Sequence, residues 1–380
     1  MDPIKPNQEL FDIFVHDYLV KRGFSNTAES FRNEAQIIRA IPPEFDQPPR
    51  GILYDVWSYR GSSSQSQVMM AKAPNVAAIM DTTPQIIREG YSIQHLSRFE
   101  SNQMLLSCDF SSDGKIVASG GLGMKPFICY IETRHFVTMS EGHSFSILEV
   151  RFKPGSTIFA TSSADTTVKV WDAETPARLM STFNGHNGSV ISLDFHPSEE
   201  TLCSSDKNDY IKVWDLERKC MICSSKEGGS KVRFQPVSGK LLAVAKRNVI
   251  TILDYQSMGV MYRLQGHAKD IYSLCWNATG KIIASVSEDA VRVWSLSLDG
   301  QCIYEYLSEE NKLMSIVFHP RHRNVLVVGG YKWMELLILG NGQIRCISAF
   351  SCGVSVPGLA ACTANESIAT SHKSVVNIWK

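Results

Sequence analysis

A short unit that returns about every forty residues constrains this chain more than its composition does. Residues 142–172 read GHSFSILEVRFKPGSTIFATSSADTTVKVWD. Gly-His pairs stand at Gly142-His143, Gly185-His186 and Gly266-His267, with one degenerate unit between the last two. The matching tryptophans are Trp171, Trp214 and Trp294, with Trp379 beyond them. After each Gly-His comes an alternating run (VRF, LDF or LCW), a polar turn and a small apolar run. A turn carrying Asp and then VKVW, IKVW or VRVW completes the unit. Period-two alternation in runs this short, bounded by Gly, Pro, Asn and Asp, marks antiparallel strands. Four strands per unit predicts the blade of a β-propeller.

The Gly-His and Trp-Asp signature resembles the WD40 family. The resemblance implies a network in which the repeat His bonds the turn Asp, and a strand Ser or Thr links that His to the Trp indole. By that analogy His143, Asp165, Trp171 and either Ser162 or Ser163 form the network of one unit. His186 with Trp214 and His267 with Trp294 occupy the same places. The role is structural, so these histidines are expected as satisfied scaffold groups and not as ligands or bases. Asn208 takes the Asp position of the third unit, with Asp206 and Asp209 nearby, and the fifth unit carries Glu288-Asp289. Units four, six and seven lack the Gly-His, and Arg247, Tyr331 and Lys373 occupy or adjoin their Asp slots.

Counting degenerate units gives seven. A first, without its Gly-His, is LLSCDFSSDGKIVASGG followed by PFICYIE. A fourth begins near Gly228, a sixth near Asn311, and a seventh runs from about Cys352 to VVNIWK. The seventh holds only three strands, so SIQHLSRFE, 92–100, is expected to supply its fourth and close the ring. The predicted fold is an all-β seven-bladed WD40 β-propeller over 91–380, preceded by a small α-helical LisH dimerisation motif at 5–38 and a linker at 39–90.

The N-terminal region has a different period. In LFDIFVHDYLVKRGFSNTAESFRNEA, 10–35, Leu10, Phe14 and Tyr18 are spaced by four, as are Phe11, Val15 and Leu19, giving a wide apolar helical stripe. Gly23 suits a helix stop, and Asn26 with Glu29 has capping-box spacing for a second helix presenting Ala28 and Phe31. Each such side chain gains about 1.5–3 kcal/mol on burial, so two short helices exposing them demand a partner. The pattern resembles the LisH motif, which implies a homodimer through Leu10, Phe14, Tyr18, Leu19 and Phe31. The alternative is packing of the stripe on the propeller or on the following segment. GILYDVWSY, in the proline-marked linker, extends the likeness. LisH, this aromatic element and the propeller together resemble the LUFS region and propeller of plant LEUNIG-type co-repressors of the Groucho/Tup group. The Gln-rich middle of those co-repressors is absent here.

Composition sets limits. Lys+Arg and Asp+Glu are 38 each, so net charge offers no drive toward nucleic acid or membranes. No apolar run approaches the roughly 20 residues of a membrane span, and MDPIKPNQEL lacks a signal peptide's apolar centre. Ten cysteines scattered from Cys108 onward do not form a disulfide framework and predict reduced thiols. GGLGMKP lacks phosphate-loop spacing, GHSFS is not a nucleophile elbow, and Cys220-Met-Ile-Cys223 has no second ligand pair. HPRHR, 319–323, reads as a solvated turn. No enzyme and no cofactor is expected.

Propellers bind through loops on their rims. The turns between second and third strands carry Lys125, Lys207, Lys246 with Arg247, Lys332 and Lys373, against Asp165 and Glu288-Asp289. A mostly basic rim would select an acidic or phosphorylated peptide, with Tyr272 and Trp333 as aromatic anchors. In the alternative, Trp333 packs between blades and the lysines keep the rim soluble. The partner-binding set is therefore Lys125, Lys207, Arg247, Tyr272, Lys332 and Trp333. The reading as a whole is a non-enzymatic co-repressor scaffold in the nucleus, with the cytoplasm as the other compartment. It would dock transcription factors, adaptor proteins or chromatin factors. The alternative is a substrate receptor or subunit of a ubiquitin ligase, against which the absence of a Trp-Asp-x-Arg sequence counts.

Overall fold

The computed structural model describes residues 93–340, 342–351 and 354–380. The LisH residues Leu10, Phe14, Tyr18, Leu19 and Phe31, and the linker 39–90, lie outside the described residues. What is described forms seven four-stranded antiparallel sheets, each built from strands consecutive in sequence except at the closure. Blade one spans Leu105–Phe110, Ile116–Gly121, Phe127–Tyr130 and His135–Thr138. Blades two to six follow, each with its first strand innermost: Ile147–Phe152, Val190–Phe195, Lys231–Phe234, Ile271–Trp276 and Leu313–Phe318. Blade seven holds Gly358–Cys362, Ser367–His372 and Val375–Trp379.

The fourth strand of blade seven is His95–Glu100. It pairs antiparallel with Val375–Trp379, from His95 opposite Trp379 to Glu100 opposite Val375. Main-chain bonds extend the seam at both ends, Gln94 N to Lys380 O at 2.7 Å and Ser101 N to Ser374 O at 2.7 Å. The segment expected at 92–100 thus closes the ring with its residues 95–100. Closure removes the open sheet end that a linear stack would leave for another chain to pair with.

Burial peaks at the second strands. The second strands of blades one, three, five, six and seven are buried at every residue. The fourth strand of blade three, Cys220–Ser225, is largely exposed. Between blades the apolar faces form separate wedges. One joins Ala284, Val291 and Val293 of blade five to Leu313, Leu326 and Val328 of blade six. β-Branched side chains suit this surface because they pack well on a pleated, twisted sheet. At the start of blade one, a Cβ on Gly121 would lie 1.9 Å from the Met104 carbonyl oxygen. Only glycine lets the loop leading into the blade lie against its second strand.

The innermost strands have no strand partner on the channel side, so their N–H groups need other acceptors. Side chains of the preceding blades supply them. Ser107 Oγ takes Val150 N at 3.1 Å and Asp109 Oδ2 takes Phe152 N at 2.8 Å. Glu149 Oε2 takes Leu193 N at 2.9 Å, Ser192 Oγ takes Val232 N at 3.0 Å, and Asp194 Oδ2 takes Phe234 N at 2.8 Å.

Candidate functional site

The histidines first decide whether the molecule holds reactive groups or scaffold. In blade two, Trp171 Nε1 donates to Thr161 Oγ1 at 2.9 Å. Thr161 therefore gives its own proton to His143 Nε2, 2.7 Å away. His143 Nδ1–H then donates to Asp165 Oδ2 at 2.9 Å. Asp165 also accepts from Ser144 N and from the Thr167 amide and hydroxyl. Both ring nitrogens of His143 are used, which leaves the imidazole no lone pair for a metal or a substrate proton. The linking hydroxyl is Thr161; the sequence pointed to Ser162 or Ser163. Ser162 Oγ is buried without a partner, and Ser163 Oγ donates to the Phe145 carbonyl. Spacing does mark the correct residue. The hydroxyl lies 18 residues after the His in blades two, three and five alike.

Blade three repeats the relay with Trp214, Ser204, His186 and Asp206, at 2.8, 2.7 and 2.8 Å. Asp206 is thus the acid, where the sequence placed Asn208. Asn208 N instead donates to Asp206 Oδ1. In blade five Trp294 bonds Ser285, and Ser285 bonds His267 Nε2 at 2.7 Å. The Nδ1 partner there is Ser287 at 2.9 Å, which passes its proton on to Asp289 at 3.0 Å.

This difference sets the acidity of the rings. Burial pushes His143 and His186 downward, and the carboxylates of Asp165 and Asp206 work against it. Burial acts on His267 too, the Arg292 guanidinium adds to it, and Asp289 is one hydroxyl removed, so the ring is pushed down to about 4. For Asp165, burial works upward. It is outweighed by the Thr167 hydroxyl, the Ser144 amide and His143, which hold it at about 2.

Blades six and seven build their polar centres elsewhere. Buried Glu335 accepts from Asn311 Nδ2 at 2.7 Å, Trp333 Nε1 at 2.9 Å and the Tyr306 hydroxyl at 3.0 Å. In blade seven Asn377 bonds His372 at 2.8 Å and His95, on the closing strand, at 3.1 Å. Trp379 Nε1 donates to Thr370 at 3.0 Å. His319, read as part of a solvated turn, is buried, and its Nδ1 accepts the Arg321 and His322 amides.

The turns between second and third strands and the loops leading into first strands share one rim. Lys125, Lys207, Arg247 and Lys332 are all exposed in such turns. Their charge is not a uniform basic ring. Neighbouring Lys246 is paired with Asp209 at 2.9 Å, and Lys312 and Lys269 both meet Glu288, at 2.7 and 3.5 Å. Tyr272, the second residue of the first strand of blade five, is 44% exposed. Trp333 is not a free anchor. It opens the third strand of blade six, is half-buried, spends its N–H on Glu335, and lies under Lys332 Nζ at 5.4 Å. Apolar groups outside the expected partner-binding set also surface on this rim: Phe145 at 63% exposed, Tyr331 at 62%, and Met104 and Leu122.

A cavity of about 490 Å³ opens on the axis beneath the rim. Tyr272 and Tyr331 line its mouth, and Glu149, Arg151, Lys231 and Arg233 line its wall. Glu149 Oε1 accepts Lys231 Nζ at 2.7 Å and Arg233 Nη2 at 2.6 Å. Arg151 Nε donates to Asp194 at 3.2 Å, and its Nη1 stands 3.6 Å from Asp109. Burial pushes Glu149 up, but Arg233 and Lys231 outweigh it and hold the carboxyl well below its usual range. Asp109, Arg151, Asp194 and Arg233 were legible as the charged middles of CDF, VRF, LDF and VRF in the first strands of blades one to four, and Glu149 and Lys231 stand two residues before Arg151 and Arg233. Cys275, Val317 and Ala360 take those places in blades five to seven. At this depth the first strands of four blades place a charge and those of three do not. Cys220 and Cys223 sit apart from it, on the outer strand of blade three.

Comparison with known proteins agrees with this architecture. The model of the WD domain, G-beta repeat, matches residues 134–172, 177–215 and 259–295. The LisH model matches residues 10–35. The chain is 40% identical over 282 residues to the "Transcriptional corepressor LEUNIG_HOMOLOG" of Arabidopsis thaliana, covering 74% of this chain and 36% of that one. It is 24% identical over 200 residues to "Pre-mRNA-processing factor 19" of Oryza sativa subsp. japonica, covering 50% of this chain and 38% of that one. The chain thus spans little more than a third of the length of either relative. A LisH match ahead of WD40 repeats in a seven-bladed ring, with this identity, makes the chain a LisH–WD40 protein of the LEUNIG type.

Proposed function

We propose that this protein is a non-enzymatic transcriptional co-repressor scaffold acting in the nucleus. The LisH segment pairs two copies, and the propeller rim docks transcription factors, adaptor proteins or chromatin factors. The observation that carries the reading is the 40% identity over 282 residues to a protein named a transcriptional corepressor, together with the LisH match. The relays support a scaffold role, because the histidines of blades two, three and five are buried and have both ring nitrogens bonded within the protein. The ubiquitin-ligase alternative is not favoured.

Fusion to a DNA-binding domain upstream of a reporter tests the reading. The fusion is expected to lower reporter output several-fold. Changing Leu10 and Phe14 to Asp is expected to convert a dimer to a monomer by light scattering and to weaken repression. Unchanged reporter output with the wild-type fusion would refute it.

A further inference from the structure

The axial cavity carries a more specific inference, which rests on the docking reading above. Its lining holds four cations, Arg151, Lys231, Arg233 and Lys312, against two carboxylates, Glu149 and Glu288. Both carboxylates are already engaged, Glu149 by Lys231 and Arg233, and Glu288 by Lys312 and Lys269. Asp109 and Asp194 spend an oxygen each on a neighbouring backbone amide. The cations are not used up in the same way. Arg151 commits its Nε to Asp194, and among the described residues its Nη2 has no partner. Lys231 has three N–H donors and uses one, toward Glu149. The side chains of Arg151 and Lys231 are 29% and 20% exposed, against 3% for Glu149. The lumen therefore sees the spare donors of Arg151 and Lys231 with Glu149 behind them, while Glu288, 25% exposed, is held between Lys312 and Lys269. Burial pushes the Lys231 amine downward, Glu149 opposes this, and Arg233 and Arg151 push it further down. An incoming anion would relieve that crowding.

We propose that the channel mouth receives an acidic side chain, carboxylate or phosphate, from a short peptide segment of a partner protein. Arg151 and Lys231 supply the counter-charges, and Tyr272 and Tyr331 form the lip on which flanking residues rest. The cavity's volume lies within the roughly 300–1,000 Å³ of pockets that enclose a drug-sized group, which is room for an acidic side chain at the mouth. The aromatic lip gives a peptide something that a free anion would not use. The wall of blades five to seven adds apolar surface through Met314 and Leu359, beside the paired Glu288 and Lys312.

Acetylation of lysines in the full chain by acetic anhydride, read by mass spectrometry, tests the anion site without mutation. Inorganic phosphate, against chloride at equal ionic strength, is expected to slow labelling of Lys231 about threefold or more and leave exposed Lys207 unchanged. Fluorescent heptapeptides Gly-Leu-Trp-Xaa-Leu-Phe-Gly test the source. Those with Glu or phosphoserine at Xaa are expected to bind about tenfold tighter than those with Ser or Lys. Changing Tyr272 and Tyr331 together to Ala removes only exposed groups. It is expected to weaken the peptides while leaving phosphate protection of Lys231 intact.

Equal Lys231 labelling with and without phosphate would overturn the proposal. So would indifference to the charge at Xaa, or acidic peptides that protect no better than phosphate alone, which would mark a free-anion site. The reporter assay reads co-repression separately, so a failed anion site with repression intact removes this inference and leaves that reading standing.

Discussion

Blades two, three and five solve one problem in one way, and blades six and seven solve it in another. Each blade must tie the loop leading into it to its two central strands without stranding a buried polar atom. In the first group the hub is a hydroxyl on the second strand: Thr161, Ser204 or Ser285. Opposite it on the third strand stands a base, Lys169, Lys212 or Arg292. These bases reach outward to Thr182, Ser224 and Glu305 on the fourth strand. In the second group the third-strand place itself becomes the hub. Glu335 stands opposite Val328, and Asn377 opposite Thr370. In these five blades the polar centre sits at one depth, and either central strand can supply it. A blade without the Gly-His signature is not thereby a blade without a network.

The largest effect expected from this comparison comes from the tryptophans. Trp171 is fully buried and Trp379 only partly. Trp171→Ala should cost about 4 kcal/mol and Trp379→Ala about half that, read from urea midpoints. Equal costs would mean that the two kinds of blade depend on their aromatic residues alike.

A difference within the first group comes next. The ring of His267, held at about 4, stays neutral in the fold while the unfolded chain takes up a proton near 6.5. Its contribution is therefore full above pH 6.5 and is lost as pH falls through that value toward 4, by about 3 kcal/mol. Urea titrations at pH 7 and 4.5 would show the loss. Ser287→Asp places a carboxylate at the register position that Asp206 holds in blade three, and should flatten that dependence. A slope unchanged by Ser287→Asp would break the argument that the missing acid lowers this ring.

Glu335→Gln keeps one oxygen for Asn311 and Trp333 but turns an N–H₂ toward Tyr306, whose hydroxyl must stop donating there and accept. The expected loss is about 2 kcal/mol in the unfolding free energy. Retention of full stability would show that the third-strand hub in blade six is dispensable. The smallest and sharpest test is within blade two. Thr161→Val leaves the Trp171 N–H and His143 Nε2 unpaired and should cost about 1.5 kcal/mol. Ser162→Ala removes a hydroxyl that has no partner and should change the melting temperature little.

Much of this was open to a reader of the chain alone. The seven units, the strand order within them and the segment that closes the ring follow from alternation and turn residues, because a strand's pattern depends on its own neighbours. His143, Asp165 and Trp171 were visible as a group through the resemblance to WD40 repeats. Thr161 could have been chosen over Ser162 and Ser163 by the same spacing, compared across blades. Trp333 and Glu335 could not. Whether an indole is an anchor or a bonded strut depends on what lies across the sheet, and their partners Asn311 and Tyr306 come from another turn and another blade. The charged wall of the channel is of the same kind. Local sequence shows Asp109, Arg151, Asp194 and Arg233 as lone charges between apolar residues, each in its own blade. Only closure of the ring brings them to one axis and determines which donors stay free, since Coulomb energy and desolvation depend on distance and burial and not on position along the chain.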